Sequence, residues 1–141
     1  MIFLLDTNVL SETMKPAPSS AVASWMRKQP LRSLFTAAIC QAEILAGVAV
    51  LPAGRRRTEL EAIAAGMFNE DFHERILPFD GRAAAACAQL FAARRQMGRP
   101  IATADLIVAA TAHAHDAAVV TRDAGGFEGC GLVVVDPWTA S

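Results

Sequence analysis

The chain is short of the residues that mark several functional classes. Its three cysteines, Cys40, Cys87 and Cys130, are odd in number, far apart and set among apolar or small neighbours. That excludes a disulfide framework and a paired-cysteine zinc site, and it fits a reducing cytoplasm. Positive charge is not in excess either: 13 Lys and Arg stand against 14 Asp and Glu, a net charge of -1. A nonspecific nucleic-acid binder carries a global basic field, so any nucleic-acid contact here must be local. Long apolar runs are missing too. The opening stretch Met1 to Leu5 has no basic lead-in and is broken by Asp6, and no later segment has the length of a membrane span. The expectation is a soluble protein away from membranes. Internal repeats, low-complexity tracts and interdomain linkers are also absent.

What is present is enough apolar material for one core. With 141 residues, 53% of them hydrophobic, the chain is expected to form a single domain over 1–141. Ile2 to Leu5 reads as a buried strand and Val9 to Met14 as a short helix, stopped before Lys15-Pro16-Ala17-Pro18. A helix capped by Ser19 or Ser20 carries Val22, Trp25 and Met26, ahead of the strand Ser33 to Thr36. Ile39 to Leu51 and Arg55 to Phe68 read as helices, the second amphipathic with Leu60, Ile63, Ala64 and Met67 on one side. Then come the strand Arg75 to Phe79, an alanine-rich helix from Asp80 or Gly81 to Met97, and a helix from about Thr103 to His115. The strands Ala117 to Thr121 and Leu132 to Val135 close the pattern. About five strands alternating with helices predict an α/β fold, a three-layer α/β/α domain around a mostly parallel sheet.

Four acids stand in places that packing alone does not explain. Asp6, followed by Thr7 and Asn8, closes the first strand, and Asp123 follows the strand ending at Thr121. The carboxyl ends of strands in open α/β sheets are where ligands bind. Glu43 lies in Ile39-Cys40-Gln41-Ala42-Glu43-Ile44-Leu45-Ala46-Gly47-Val48, where the apolar neighbours predict a helix covered on most sides. Asp105 lies in the first turn of Thr103-Ala104-Asp105-Leu106-Ile107-Val108. Separately, each has a bland reading: a helix cap for Asp6, a buried ion pair for Glu43, a dipole partner for Asp105, a turn or Arg122 partner for Asp123. Together they would repel one another unless protonated or neutralised by a cation. Mg²⁺ or Mn²⁺ is the economical neutraliser, because hard divalent ions prefer carboxylate oxygens and no His or Cys stands at zinc-ligand spacing. Such a site supports phosphodiester hydrolysis by metal-activated water, with Thr7, Asn8 and Thr121 as supporting polar groups.

The order Asp6-Thr7-Asn8, Glu43, Gly98-Arg99-Pro100-Ile101 with Asp105-Leu106-Ile107-Val108-Ala109-Ala110, and Thr121-Arg122-Asp123 before Phe127-Glu128-Gly129 resembles the PIN-domain ribonucleases. More narrowly it is similar to the VapC/FitB toxins of type II toxin-antitoxin pairs, over nearly the whole chain. The resemblance implies that Asp6, Glu43, Asp105 and Asp123 form the catalytic, metal-binding set, supported by Thr7, Asn8 and Thr121. It further implies Mg²⁺- or Mn²⁺-dependent endonucleolytic cleavage of RNA, a homodimer, and inhibition by a small cognate antitoxin protein through which operator DNA is bound. The chain departs from one common form of the group, in which an acid directly precedes the aromatic residue of the last loop; Gly126 stands there, leaving Asp123 as the nearby fourth acid.

Two other functions compete. An aspartyl-phosphate phosphatase of the haloacid dehalogenase type also begins with an acid after a strand, but needs a second Asp where Asn8 stands. A catalytically weak PIN fold acting with an antitoxin in DNA-bound autoregulation is the alternative, against which the retained acids argue. Among the bases, Arg99 is the candidate for an RNA phosphate, being nearest in sequence to Asp105. Arg55-Arg56-Arg57 and Arg94-Arg95 read as solvated helix faces. His113 and His115 are read as helix-end residues, Trp25 as core or interface, Trp138 as a packed tail, and the cysteines as small core residues.

Overall fold

A computed structural model describes residues 1–140, and through it runs a five-stranded sheet in which every strand is parallel to its neighbours. The strands are β1 (Ile2–Leu5), β2 (Leu34–Ala37), β3 (Ile76–Leu77), β4 (Ala117–Val120) and β5 (Val134–Val135), in the spatial order β3-β2-β1-β4-β5. Helices α1 (Thr7–Thr13), α2 (Ser20–Arg27), α3 (Ala38–Ala49), α4 (Arg55–Gly66), α5 (Gly81–Gln96) and α6 (Thr103–Ala114) connect them. Right-handed crossovers carry the chain one way along the sheet from β1 to β3, and the other way from β3 through β4 to β5. Helices α1–α4 therefore cover one face and α5 and α6 the other, the three-layer arrangement expected from the sequence.

The strand order reverses between β1 and β4. The chains leaving their carboxyl ends turn to opposite faces and open a crevice between them. Leu5 pairs with Val120, so Asp6 and Thr121 are the first residues beyond the sheet on adjacent strands. Leu4, Leu5, Val119 and Val120 are fully buried, as continuous apolar strands covered on both faces require. Each such side chain contributes about 1.5–3 kcal/mol on leaving water. Trp25 is buried at helical spacing from Val22 and meets Phe3 edge-on, ring centroids 5.1 Å apart.

Several expected boundaries move, each for a local reason. Helix α1 starts at Thr7 rather than Val9, because the Asp6 side chain caps it. Strand β3 shrinks from the expected Arg75 to Phe79 to two residues, at the edge of the sheet and ahead of Pro78, which has no N–H to give. β5 is likewise two residues, although Val133 still accepts from the Val119 amide at 2.9 Å. Helix α4 ends at Gly66 and widens into a π turn, Met67–Asp71, closed by the Phe72 amide on the Met67 carbonyl at 2.9 Å. Ile63, expected on its inner side, is instead 45% exposed and lines a surface cleft of about 460 Å³.

The largest correction concerns α3. Only Cys40, Ile44 and Val48 are buried in it, while Ala42, Glu43, Leu45, Ala46, Gly47 and Ala49 face outward. Apolar residues all round a helix reveal which residues tolerate burial, and not that the chain itself supplies the cover. Cys40, Cys87 and Cys130 are free thiols, and among the described residues no helix is long and apolar enough to cross a membrane.

Candidate metal centre

Asp6 satisfies both readings open to it. Its extended backbone, φ -71° and ψ 164°, places Oδ1 2.8 Å from the Thr7 amide, which is a helix cap. Its other oxygen, Oδ2, accepts from the Thr121 hydroxyl at 2.9 Å, and the Cys40 thiol lies 3.8 Å from Oδ1. Asp6 is only 6% exposed. Burial raises its carboxyl above the ordinary value against the pull of the Thr7 amide and Thr121 hydroxyl, and Glu43 adds repulsion. The same burial, with the Asp6 carboxylate beside it, pushes the Cys40 thiol up to about 12, so that it stays a neutral donor.

Thr121 is the hub that joins the two central strand ends. Its buried hydroxyl donates to Asp6 and accepts from the Asn8 amide at 3.0 Å and from the Asp123 backbone N–H at 3.2 Å. Asn8 completes the tie, its Oδ1 accepting from the Arg122 amide at 3.1 Å. Two of the three residues predicted as support, Asn8 and Thr121, thus hold each other. Thr7 does the same for Glu43, donating from its hydroxyl to Oε1 at 2.7 Å. That bond draws the exposed Glu43 carboxylate from α3 toward the start of α1.

Asp105 enters from the first turn of α6. Its carboxyl is raised first by burial, then by the negative fields of Asp6, Asp123 and Glu43, against a smaller opposing pull from Arg94. All four predicted acids therefore act on one region. None of them takes part in a salt bridge among the described residues. Nor is any group of three or more His, Cys, Asp or Glu gathered tightly enough there to form a ready metal cage. The donor set is of hard oxygens only, which fits Mg²⁺ or Mn²⁺ and does not fit zinc.

The departure at Gly126 has a steric account. A Cβ added there would stand 2.8 Å from Asp123 Oδ2, so a side chain at 126 requires the Asp123 carboxylate to turn aside. Asp123 precedes a single 3₁₀ turn, Ala124–Phe127, whose last residue is buried in the core.

The predicted bases divide. Arg99 is exposed and pairs with Glu128, Nη2 to Oε2 3.1 Å. Arg55 and Arg57 pair along α4 with Glu59 and Glu61, a solvated face as read. Arg122 stacks over Trp138 at 4.9 Å. Arg94, also read as solvated, is instead 5% exposed. The signal for it lay in α5 itself, where Ala83, Leu90 and Arg94 share the inward stripe at spacings of seven and four. Glu12, not singled out in the sequence, is also buried; it accepts from Lys15 Nζ at 3.0 Å and the Ser19 amide at 2.9 Å, bonds that hold its carboxyl low and fasten the loop after α1.

Residues 3–128 match the family described as PIN domain. Over 137 residues the chain is 41% identical to the VapC ribonuclease Y4jK of Sinorhizobium fredii, covering 97% of this chain and 98% of that protein. It is 39% identical over 137 residues to the toxin FitB of Neisseria gonorrhoeae, covering 97% and 99%. A solved structure of FitAB bound to an IR36 DNA fragment superimposes on it with a TM-score of 0.92, at 38% identity, covering 99% of this chain and 98% of that one.

Proposed function

We propose, from the premise that this chain belongs to the PIN-domain family, that it is a metal-dependent endoribonuclease toxin restrained by a cognate antitoxin. The observation that carries the reading is the set of carboxylates without basic partners at the switch point of the sheet. Asp6, Glu43, Asp105 and Asp123 would hold Mg²⁺ or Mn²⁺. When bound, the ion supplies an activated water and charge stabilisation for in-line displacement at phosphorus. The chain's own part is positional: Thr121 and Asn8 fix Asp6 against the Asp123 loop, and Thr7 aims Glu43. Arg99 is assigned to an RNA phosphate near the entry to α6. Its exposed pair with Glu128 is worth about 0–1 kcal/mol, which a phosphate can displace.

A homodimer and a small antitoxin are the assigned partners, and the outward apolar residues of α3 leave surface for such contacts. Operator DNA is assigned to the antitoxin, consistent with a net charge of -1 on this chain. A cytoplasmic location is part of the same reading, and three free thiols are compatible with it. Purified protein is expected to cut single-stranded RNA with Mg²⁺ or Mn²⁺ and to stop when chelator is added. Cleavage that continues in excess chelator refutes the metal mechanism. RNA left intact by protein that binds Mn²⁺ and its antitoxin supports the autoregulatory binding module instead.

Metal and pH are coupled in this reading. Asp6 and Asp105 are raised above the ordinary value of 3.8, so between that value and their own the native state holds more protons than the unfolded chain. Stability of the metal-free protein therefore falls as pH rises through that window. Glu12 and Asp80 are lowered, and their contribution is lost only as pH falls through values below their ordinary ones, a separate acid limb. Mn²⁺ at about 100 times its Kd adds roughly 2.7 kcal/mol, a Tm rise of about 8 °C near neutrality that fades as the two aspartates protonate. Thermal unfolding with and without Mn²⁺ across pH checks this; a Tm indifferent to Mn²⁺ at neutral pH would count against the site.

A further inference from the structure

Arg94 is the single base among the buried charged residues described, and no carboxylate lies within salt-bridge distance of it. A buried guanidinium without a counter-ion is costly unless its N–H groups are fully engaged. Here Nε and Nη1 meet main-chain carbonyls from two separate loops. Nε donates to the Arg99 carbonyl at 2.7 Å, and Nη1 to the carbonyls of Gly126 at 3.1 Å and Glu128 at 2.7 Å, with Cys130 Sγ at 3.7 Å. The Arg99 amide returns a bond to the Arg94 carbonyl at 3.0 Å.

The second loop also presses on the end of α5. Gly129 has a left-handed φ of +79°, and a Cβ there would stand 2.6 Å from Met97 Cε. The left-handed backbone is what favours glycine there, since the end of the Met97 side chain can shift aside. From Arg99 the first loop runs directly into α6, whose first turn presents Asp105, and Gly126 lies three residues beyond Asp123. One side chain thus ties together the segments that deliver two of the acids. An ammonium group lacks the planar fork that spans carbonyls in this way.

We propose that Arg94 is a positioning residue of the acidic site: its guanidinium locks the 99–102 and 126–130 loops together and so fixes the separation at which Asp105 and Asp123 grip a divalent ion. The assignment rests on the reading of the site as a metal centre. Arg94 touches neither ion nor RNA; it acts through the two loops, beside a weak direct pull on the Asp105 carboxyl that Arg94→Lys retains and Arg94→Met removes.

The test is titration with Mn²⁺ alone, followed by the electron paramagnetic resonance of the free ion, on wild type, Arg94→Lys, Arg94→Met and Glu128→Ala, with circular dichroism giving the folded fraction of each sample. Arg94→Lys keeps charge and bulk but loses the fork, and its folded fraction is expected to bind Mn²⁺ about tenfold more weakly, Arg94→Met more weakly still. Glu128→Ala breaks only the Arg99 rim pair and leaves the clamped carbonyls in place, so its affinity should stay within about twofold. A folded Arg94→Lys with wild-type affinity overturns the assignment and leaves the metal centre standing. Wild type that binds no Mn²⁺ refutes the metal centre, and this assignment with it. Should neither Arg94 variant fold, hydrogen exchange on wild type decides: Mn²⁺ should slow the amides of Arg99, Gly126, Glu128 and Cys130 together, roughly tenfold. Bound Mn²⁺ that leaves those amides unchanged overturns the clamp.

Discussion

Asp6→Asn is expected to leave a folded protein that no longer cuts RNA. Asparagine has the same shape, and its Oδ1 still accepts from the Thr7 amide, so the cap on α1, worth about 1 kcal/mol, is kept. What is lost is the negative charge and one of two oxygens. The new Nδ2 faces the Thr121 hydroxyl, which already accepts from Asn8 and from the Asp123 amide and can no longer give its own proton to the residue at position 6. The side chain nearest the sheet is therefore neutral and turned the wrong way. Cleavage should fall by at least ~10³-fold, which corresponds to about 4 kcal/mol of barrier. The Tm should stay within about 3 °C of the metal-free wild type, since the lost charge was itself unfavourable to bury. Single-turnover cleavage of a labelled RNA with Mn²⁺ measures the first quantity and a thermal melt the second. Activity within tenfold of wild type would remove Asp6 from the site.

Phe127→Ala should have the largest effect on the fold. Phe127 is 1% exposed and closes the 3₁₀ turn that starts beside Asp123. Truncating a buried aromatic removes its transfer free energy and leaves a cavity, together about 3–5 kcal/mol. For a chain of this length that is a Tm loss of roughly 10–15 °C. The expected result by urea denaturation is a lower midpoint with an unchanged slope. A loss under about 1 kcal/mol would mean that the loop is not anchored through this ring. Because the same loop supplies the Gly126 and Glu128 carbonyls to Arg94, the variant should also bind Mn²⁺ less well than its folded fraction alone explains.

The parallel sheet was legible because β1 and β4 are apolar on both faces, a pattern that few other elements share. The polar triplet after β1 was legible for the opposite reason: Asp, Thr and Asn contribute nothing to packing where Asp6, Thr7 and Asn8 stand. The hub made by Thr121 was visible only as a residue type, since its partners come from the other end of the chain. Composition misled for α3 and for Arg94 in opposite directions. Apolar neighbours around Glu43 implied cover that the chain does not provide, and a run of arginines implied solvent where α5 turns one of them inward. Hydropathy assigns an average to a segment, whereas burial is decided face by face. On α5 the inward stripe through Ala83 and Leu90 reaches Arg94, and the carbonyls waiting there come from loops that no local pattern announces.

The tie between Asn8, Asp6 and Thr121 spans sequence separations of 113 and 115 residues. Ribosomes add about 5–20 residues per second, so roughly 6–23 s pass between the synthesis of the first carboxylate and that of the hydroxyl that orients it. Throughout that interval β1 also lacks β4, its neighbour on one side. The candidate site is thus assembled last although its first part is made first. On the proposed function, a half-made chain lacks the bond that orients its first acid.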